Sequence, residues 1–376
     1  MRLVIVAHAF PRWRGDVAGS FLGRLAEALA ARAHTVTVVA PADRGQAERR
    51  TVDGVELVQV RYAAPGREDL AYGGDMARKA RSLSGAWAFR GLIRALAVGV
   101  REETRRIDAD LVHAFWWIPG GWAATGAPVP VVVSLMGTDV ALMRPLPARP
   151  LARRVLGRAA RVTALSTFLA DEARRIVRLR RLEIDRIPVP VDVERFRERR
   201  AGGGGVVYLG RLSHQKRVDL LLDAVCQAGI RAPVTIIGDG PARRELERRA
   251  QGLGLHNVDF RGTLSNEEVP AIVASADVAA FPSRAEGLGL AAAEALMLGV
   301  PVVATSDGGG VLDLVRDGEG ACVVPPTAEA VGAALLRCLG DPSLRVAAIR
   351  AGEQLRTDLA PDAVAGQFER VYADLA

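Results

Sequence analysis

The chain runs to 376 residues, 49% hydrophobic and 25% charged, and its 50 Lys+Arg against 43 Asp+Glu leave a net charge of +7. That length is more than one hydrophobic core usually serves, so two domains are expected, and the composition excludes a disordered or fibrous chain. The three cysteines, Cys226, Cys322 and Cys338, have neither CxxC nor metal-ligand spacing; they exclude a disulfide framework and read as buried thiols of a reducing compartment.

Met1 to Ala7 is a short apolar run before His8-Ala9-Phe10-Pro11. It is too short for the apolar core of a signal peptide and reads as a first strand, Arg2 to Ala7. Ser20 to Arg32 places Phe21, Leu22, Leu25, Ala28 and Leu29 at the spacing of one helix face. Strand-like runs follow at Thr35 to Ala40, Val55 to Val60, Leu111 to His113 and Val129 to Leu135. Strand, helix, strand in repetition predicts a parallel sheet covered on both faces. Arginines cluster at Arg149 to Arg161 and at Arg174 to Arg181, within helical patterns. Two readings stand for them, a solvated helix face or peripheral contact with an anionic membrane; nucleic acid is not expected, because no stacking motif accompanies the charge. No uninterrupted apolar stretch approaches the ~20 residues that span a bilayer. A cytoplasmic protein is expected.

Ile187-Pro188-Val189-Pro190-Val191-Asp192, a charged stretch and the glycines 202–205 form a connection stiffened at one end and loosened at the other. Beyond it the same grammar restarts. Strands are expected at Val206 to Leu209, Val234 to Ile237, Val258 to Phe260, Val278 to Phe281, Val300 to Ala304 and Ala321 to Val324. A helix is expected over Val218 to Ala228, and Pro241 should open another. The reading is α/β: two Rossmann-like domains, 1–188 and 206–355, facing a central cleft, joined by a linker at 189–205 and followed by a terminal segment at 356–376. Ligands of such folds bind at the carboxyl ends of the strands.

The chemistry concentrates after the linker. Tyr208-Leu209-Gly210-Arg211 ends a strand, and Lys216 follows five residues later. Lys216 and Lys79 are the only lysines in the chain, so a compact ammonium beside a forked guanidinium suits a diphosphate at this point. A surface ion pair is the plainer alternative. Phe281-Pro282-Ser283-Arg284-Ala285-Glu286-Gly287-Leu288-Gly289-Leu290 is a strand end, a loop and a helix start running through Leu298. Its glycines let backbone approach a ligand, and helix-start amides favour phosphate oxygens. Glu286 and Glu294 are separated by roughly 12 Å if helical rise holds, too far for a shared-proton pair or a two-carboxylate glycosidase. They suit the two ends of one extended ligand, with structural carboxylates as the alternative. Gly238-Asp239-Gly240 lacks the third glycine of a dinucleotide fingerprint.

Taken together, Gly210-Arg211-Leu212 with Lys216, Gly238-Asp239-Gly240-Pro241, Pro282-Ser283 with Glu286 to Gly289, and Gly299-Val300-Pro301-Val302-Val303-Ala304 resemble the retaining GT-B glycosyltransferases of family 4 in kind and order. The similarity runs over residues 205 to about 340, taking in Gly309-Gly310 and Gly320 to Pro325. The resemblance implies a GT-B architecture, a nucleoside diphosphate sugar as donor, and no metal or cofactor. It implies that Arg211 and Lys216 hold the diphosphate and that Glu294 takes the ribose hydroxyls. Glu286 would face the transferred sugar, the amides of Gly287, Leu288, Gly289 and Leu290 would touch sugar and phosphate, and Gly238 and Arg261 would flank the base.

The first half matches less tightly. Arg14-Gly15-Asp16-Val17-Ala18-Gly19 resembles the family's glycine-rich first loop, with Gly15 as the donor contact. His113-Ala114-Phe115-Trp116 and Ser134 to Asp139 are similar to acceptor-side motifs, so His113, Trp116, Met136 and Asp139 are implied acceptor contacts. Met136 stands where many relatives carry histidine, and Val189 and Pro190 replace the usual Asn-Gly. Trp13, Trp87, Trp116, Trp117 and Trp122 are either core or an acceptor platform. The resemblance implies transfer to an acceptor hydroxyl of a saccharide, a lipid-linked saccharide or a small metabolite, with a last helix, Asp362 to Leu375, returning to the first domain. A nucleotide-sugar epimerase and a degenerate glycan-binding module are the alternatives.

Overall fold

The computed structural model describes residues 1–376 except 14, 45–48, 65, 180–181, 199–201 and 376. Arg14 of the first loop, Arg180 and Arg181 of the second arginine cluster, and residues 199–201 of the expected linker therefore lie outside the described residues. The chain divides into two units, Met1–Val191 with Ala360–Ala376, and Asp192–Leu359.

In the first unit the β-branched runs become β1 (Arg2–Val6), β2 (Thr35–Pro41), β3 (Arg49–Val52), β4 (Val55–Val60), β5 (Leu111–Phe115), β6 (Val131–Leu135), β7 (Arg161–Ala164) and β8 (Ile184–Arg186). They form one sheet in the order β3-β4-β2-β1-β5-β6-β7-β8. Only β3 runs antiparallel, against β4. The central β1 is bracketed by partners on both sides, with Ile5 opposite Val38 and His113. It is apolar on both faces, as a parallel strand covered by helices must be. The strand expected from Val129 starts at Val131 because Pro130 has no N–H for the ladder. β5 runs two residues past His113, to Phe115.

The second unit contains β9 (Val206–Leu209), β10 (Val234–Ile237), β11 (Val258–Gly262), β12 (Val278–Phe281), β13 (Val302–Thr305) and β14 (Ala321–Val324). The order is β11-β10-β9-β12-β13-β14, every pairing parallel. Pro301 delays β13 to Val302 as Pro130 delays β6. Pro241 does not open a helix. Gly240 lies so close to Leu212 that a Cβ would stand 2.2 Å from its carbonyl oxygen, and the Ala242 amide donates to that same oxygen at 3.1 Å. Residues 240–242 are thereby bound to the β9 loop, and the helix begins at Arg243.

Local signals start the longer helices. Ser82, Ser166 and Thr327 accept from the amides of Gly85, Leu169 and Ala330, capping Leu83–Arg106, Thr167–Val177 and Ala328–Gly340. Cys322 and Cys338 are buried with their sulfurs 3.8 Å apart, but Cys226 is exposed, against expectation; it sits on the outer face of the helix Val218–Gln227.

The terminal helix Pro361–Ala373 belongs to the first unit, where Val364, Ala365, Phe368 and Tyr372 join Leu22, Leu25 and Leu29 in one apolar cluster. Arg32 pairs with Asp362 at 2.7 Å and Glu369 at 2.6 Å, and His34 with Glu369 at 2.8 Å. Deeper, the Tyr372 hydroxyl lies 2.7 Å from His113 Nδ1.

Tyr372→Phe keeps the ring and deletes this bond, leaving a buried imidazole nitrogen unpaired. A loss of about 1–3 kcal/mol is expected in urea unfolding. The hydrogen bond from Arg32, joined by one from His34, holds Glu369 at about 2 although burial works to raise it. Its unfolded value is about 4.3, so the unfolded chain binds more protons below that pH. The contribution is therefore full above pH ~4.3 and lost as pH falls through about 2. Thermal unfolding of Glu369→Gln should show a shallower acid loss across that window than the wild type.

Candidate active site

Strand order in the second sheet reverses between β9 and β12, since β9, β10 and β11 run outward one way and β12, β13 and β14 the other. Such a reversal opens a crevice at the strands' carboxyl ends. The loops that leave β9 and β12 there are Gly210–Arg217 and Pro282–Gly289, the two segments singled out in the sequence.

Three glycines let the loops meet. Gly238, after β10, has φ +129°, and a Cβ on it would lie 2.0 Å from the Gly210 carbonyl oxygen. Gly309, after β13, has φ +71°, and a Cβ there would stand 2.8 Å from both the nitrogen and the carbonyl oxygen of Glu286. It joins Glu286 through an isolated bridge in which the Glu286 amide donates to Gly308 and the Gly310 amide to Glu286, both at 2.8 Å. Gly289 starts the helix Leu290–Met297 at φ +81°.

On this frame Lys216 Nζ pairs with Glu286 Oε1, both side chains largely buried. Arg211 is exposed, and its side chain has no partner among the described residues. Leu288 is buried, whereas Gly287, Gly289, Leu290 and Glu294 are half-buried along the loop and the first turns of the helix. The Tyr208 hydroxyl donates to the Arg211 carbonyl at 3.3 Å; burial and the Glu286 charge raise its pKa, so it stays a phenol. Arg261, exposed on β11, faces Asp259 at 3.6 Å. Gly238 donates its amide to Gly262 at 2.8 Å, which brings the end of β11 beside this turn.

The residue that sequence reading passed over is Arg217. It has left-handed backbone, φ +49° and ψ +43°, a conformation costing a non-glycine residue roughly 1–2 kcal/mol. Its guanidinium donates from Nε to the Pro282 carbonyl at 2.7 Å and from Nη2 to Thr305 Oγ1 at 2.9 Å. It also grips Asp307 twice, at 2.6 and 3.1 Å. Burial works to raise the Asp307 pKa, but hydrogen bonds from Arg217 and Thr305 outweigh it and hold the carboxylate below its usual range. One side chain thus ties the ends of β12 and β13 to the turn that carries Lys216. The carboxylate at 307, just past a strand end, was the sequence signal for a partner.

In the first sheet the reversal lies between β1 and β5. His8 and Trp116, just past those strands, meet edge to face with ring centroids 4.0 Å apart. Burial lowers the His8 pKa to about 4, so its ring is neutral, and Nδ1 is buried without a hydrogen-bond partner among the described residues. Trp116 and Met136 are half-buried. Gly15, exposed in the first loop at φ +87°, has no neighbour within 4 Å of a Cβ position; Arg12 braces that loop by pairing with Asp16 at 2.7 Å and with Asp43 at 2.5 Å.

Two expected acceptor contacts need correction. His113 is fully buried, with Nε2 2.7 Å from Ser134 Oγ and Nδ1 on Tyr372, and burial holds its pKa near 3. Both nitrogens are used inside the protein. Asp139 is fully buried too, accepting amides of Trp117, Met136, Gly137 and Val140 at 2.9–3.1 Å. Burial raises its pKa to about 6 against the pull of those amides. It positions the turns carrying Trp116 and Met136 and has no oxygen to spare for a ligand. Of the other tryptophans, Trp117 is core, while Trp13, Trp87 and Trp122 are exposed.

Two doubly wound sheets with these loops define a GT-B glycosyltransferase fold. Sucrose-phosphate synthase from Thermosynechococcus elongatus superposes with a TM-score of 0.77 at 20% identity, over 100% of this chain and 98% of that one. Anabaena HepE in complex with UDP gives 0.73 at 19%, over 100% of each. Residues 194–355 match the family "Glycosyl transferases group 1" and residues 18–190 "Glycosyl transferase 4-like domain". The α-D-kanosaminyltransferase of Streptomyces kanamyceticus is 31% identical over 70% of this chain and 76% of its own length. The chain belongs to the group 1 glycosyltransferases, and it is a transferase enzyme.

Arg217→Gly should relieve the backbone strain while deleting the clamp. Turnover is expected to fall tenfold or more, because a small misplacement of Lys216 is enough to lose the productive geometry, and the melting temperature to fall modestly, the relieved strain offsetting only part of the lost hydrogen bonds. Asp307→Asn should reproduce part of that loss. Steady-state rates beside thermal unfolding of the same preparations check both.

Proposed function

We propose that this glycosyltransferase moves a sugar from a nucleoside diphosphate to an acceptor hydroxyl with retention of anomeric configuration, without a metal. The observation that carries the reading is the Lys216–Glu286 pair, held between the two loops at the sheet's reversal, with Arg211 having no partner among the described residues. An ammonium and a guanidinium at that point suit a diphosphate leaving group, whose developing charge they stabilise together with the amides of Gly287 to Leu290. Glu294 takes the ribose hydroxyls. Glu286 turns to the sugar once phosphate oxygens replace it on Lys216, and its carboxylate steadies positive charge at the anomeric carbon.

In this mechanism the bond from the anomeric carbon to the phosphate oxygen breaks, and the acceptor oxygen bonds to that carbon on the same face. The acceptor proton passes to the departing diphosphate oxygen, so no protein base is required. HepE, solved with UDP, supports a nucleoside diphosphate sugar as donor and makes UDP the first nucleotide to try. Trp116, Met136 and His8 are the proposed acceptor-side contacts, for a saccharide, a lipid-linked saccharide or a small hydroxylated metabolite. The paired free thiols of Cys322 and Cys338 support a cytoplasmic setting.

Thermal unfolding against UDP, GDP, ADP and TDP, with and without EDTA, tests the donor site. A hundredfold excess over the dissociation constant should stabilise by about 2.7 kcal/mol with one of them, EDTA making no difference. Glu294→Ala should abolish the shift, and Lys216→Ala should cut turnover a hundredfold or more while leaving the fold intact. Near-normal turnover in Lys216→Ala would sink the diphosphate assignment. Isomerised donor without an acceptor would indicate an epimerase.

A further inference from the structure

The helix Leu83–Arg106 is long and apolar enough, by length and composition alone, to cross a membrane. Its packing gives it another place. Leu92, Leu96, Gly99 and Val100 are buried in the first unit's core, and a Cβ on Gly99 would stand 2.9 Å from Val39 and Val60. That close approach fixes which face turns outward.

The outward face is ordered. Leu83, Trp87, Arg90, Arg94, Arg101 and Arg105 recur at three-, four- and seven-residue steps, so they share one stripe, opposite Leu92, Leu96 and Gly99. All six are exposed, Leu83 at 86% and Trp87 at 73%. The stripe extends about 33 Å. None of its four arginines has a side-chain partner among the described residues. The one exposed acid of the helix, Glu102, projects about 100° to the side of Arg101.

The two arginine clusters evident in the sequence are differently placed. Arg149 donates to the Arg144 carbonyl and Arg153 to that of Val177, Arg161 pairs with Asp185, Arg174 with Asp171 and Arg175 with Glu172. Carboxylates of the same unit thus offset the charge of Arg161, Arg174 and Arg175. Arg154, Arg158 and Arg178 are exceptions, exposed and without side-chain partners among the described residues.

We propose that the stripe from Leu83 to Arg105 is a docking surface for an anionic bilayer, on which the helix lies parallel to the membrane. Leu83 and Trp87 enter the headgroup boundary, and the four arginines bind lipid phosphates along the axis. Exposed apolar anchors at one end with a straight row of unneutralised guanidiniums are what a planar, negatively charged, partly apolar surface requires. A soluble polyanion has no use for Leu83 and Trp87.

Sedimentation of the full chain with vesicles of phosphatidylcholine alone, or of phosphatidylcholine with phosphatidylglycerol, tests this. Binding is expected only with the anionic vesicles and should fall as salt rises. Each arginine near an anionic surface contributes about fivefold in affinity, so R90Q/R94Q/R101Q/R105Q together should weaken binding by several hundredfold. Trp87→Ala should weaken it with the arginines intact and remove a blue shift in tryptophan emission. R154Q/R158Q should bind like the wild type. All the changed side chains are exposed, so melting temperatures should hold. Wild-type binding by the quadruple variant would overturn the proposal. So would retention on soluble dextran sulfate without binding to the anionic vesicles.

Discussion

Arg217 is the constraint on which the second unit's site depends. Three strand ends must stop beside one another for a lysine, a carboxylate and a helix start to come together. Backbone pairing alone does not bring this about, because β9, β12 and β13 end in loops of different length and course. A guanidinium has five donors in one plane, and here it spends four hydrogen bonds on the carbonyl of 282, the hydroxyl of 305 and both oxygens of Asp307. The left-handed backbone at 217 is tolerated because these bonds outweigh its cost. Lysine, a point charge on a flexible stem, has no equivalent geometry.

In the first unit the corresponding work falls to buried polar groups. Tyr372, His113, Ser134 and Thr163 form a continuous line of contacts of 2.6–2.7 Å across the core. The line begins on the terminal helix and crosses β5, β6 and β7. A neutral imidazole can donate from one nitrogen and accept at the other, so it carries such a line without a buried charge. The final residues of the chain are thereby part of the first sheet's core and more than a covering.

The strands of the second unit were legible because each is a short apolar run, closed by glycine or proline in every case but β13, which Ser306 follows, and its motif residues stand at strand ends. The site carboxylates and cations were legible for the same reason. What failed to show were residues whose meaning depends on distant partners. Arg217 reads as one more surface cation until Asp307, ninety residues on, is placed beside it. His113 reads as a site histidine because its partner Tyr372 lies 259 residues away. β3 and β7 begin on arginine and show no apolar run long enough to notice, and the capped helices after Ser82 and Ser166 passed unremarked among the arginines around them.

The two reversal points divide their chemistry. At the second sheet the groups are charged: Arg211 is exposed and lacks a partner among the described residues, and Lys216 and Glu286 neutralise one another. At the first sheet the charged and polar groups are used up internally, Asp139 by four amides and His113 by two hydroxyls. What remains there is a neutral imidazole, an indole and a thioether, at His8, Trp116 and Met136. Under the proposed function, such a neutral and partly aromatic surface suits the weakly polar face of a sugar ring. The asymmetry of charge follows from which polar residues each sheet needs to hold itself together, and it is the asymmetry that the proposed transfer from a nucleoside diphosphate sugar to an alcohol calls for.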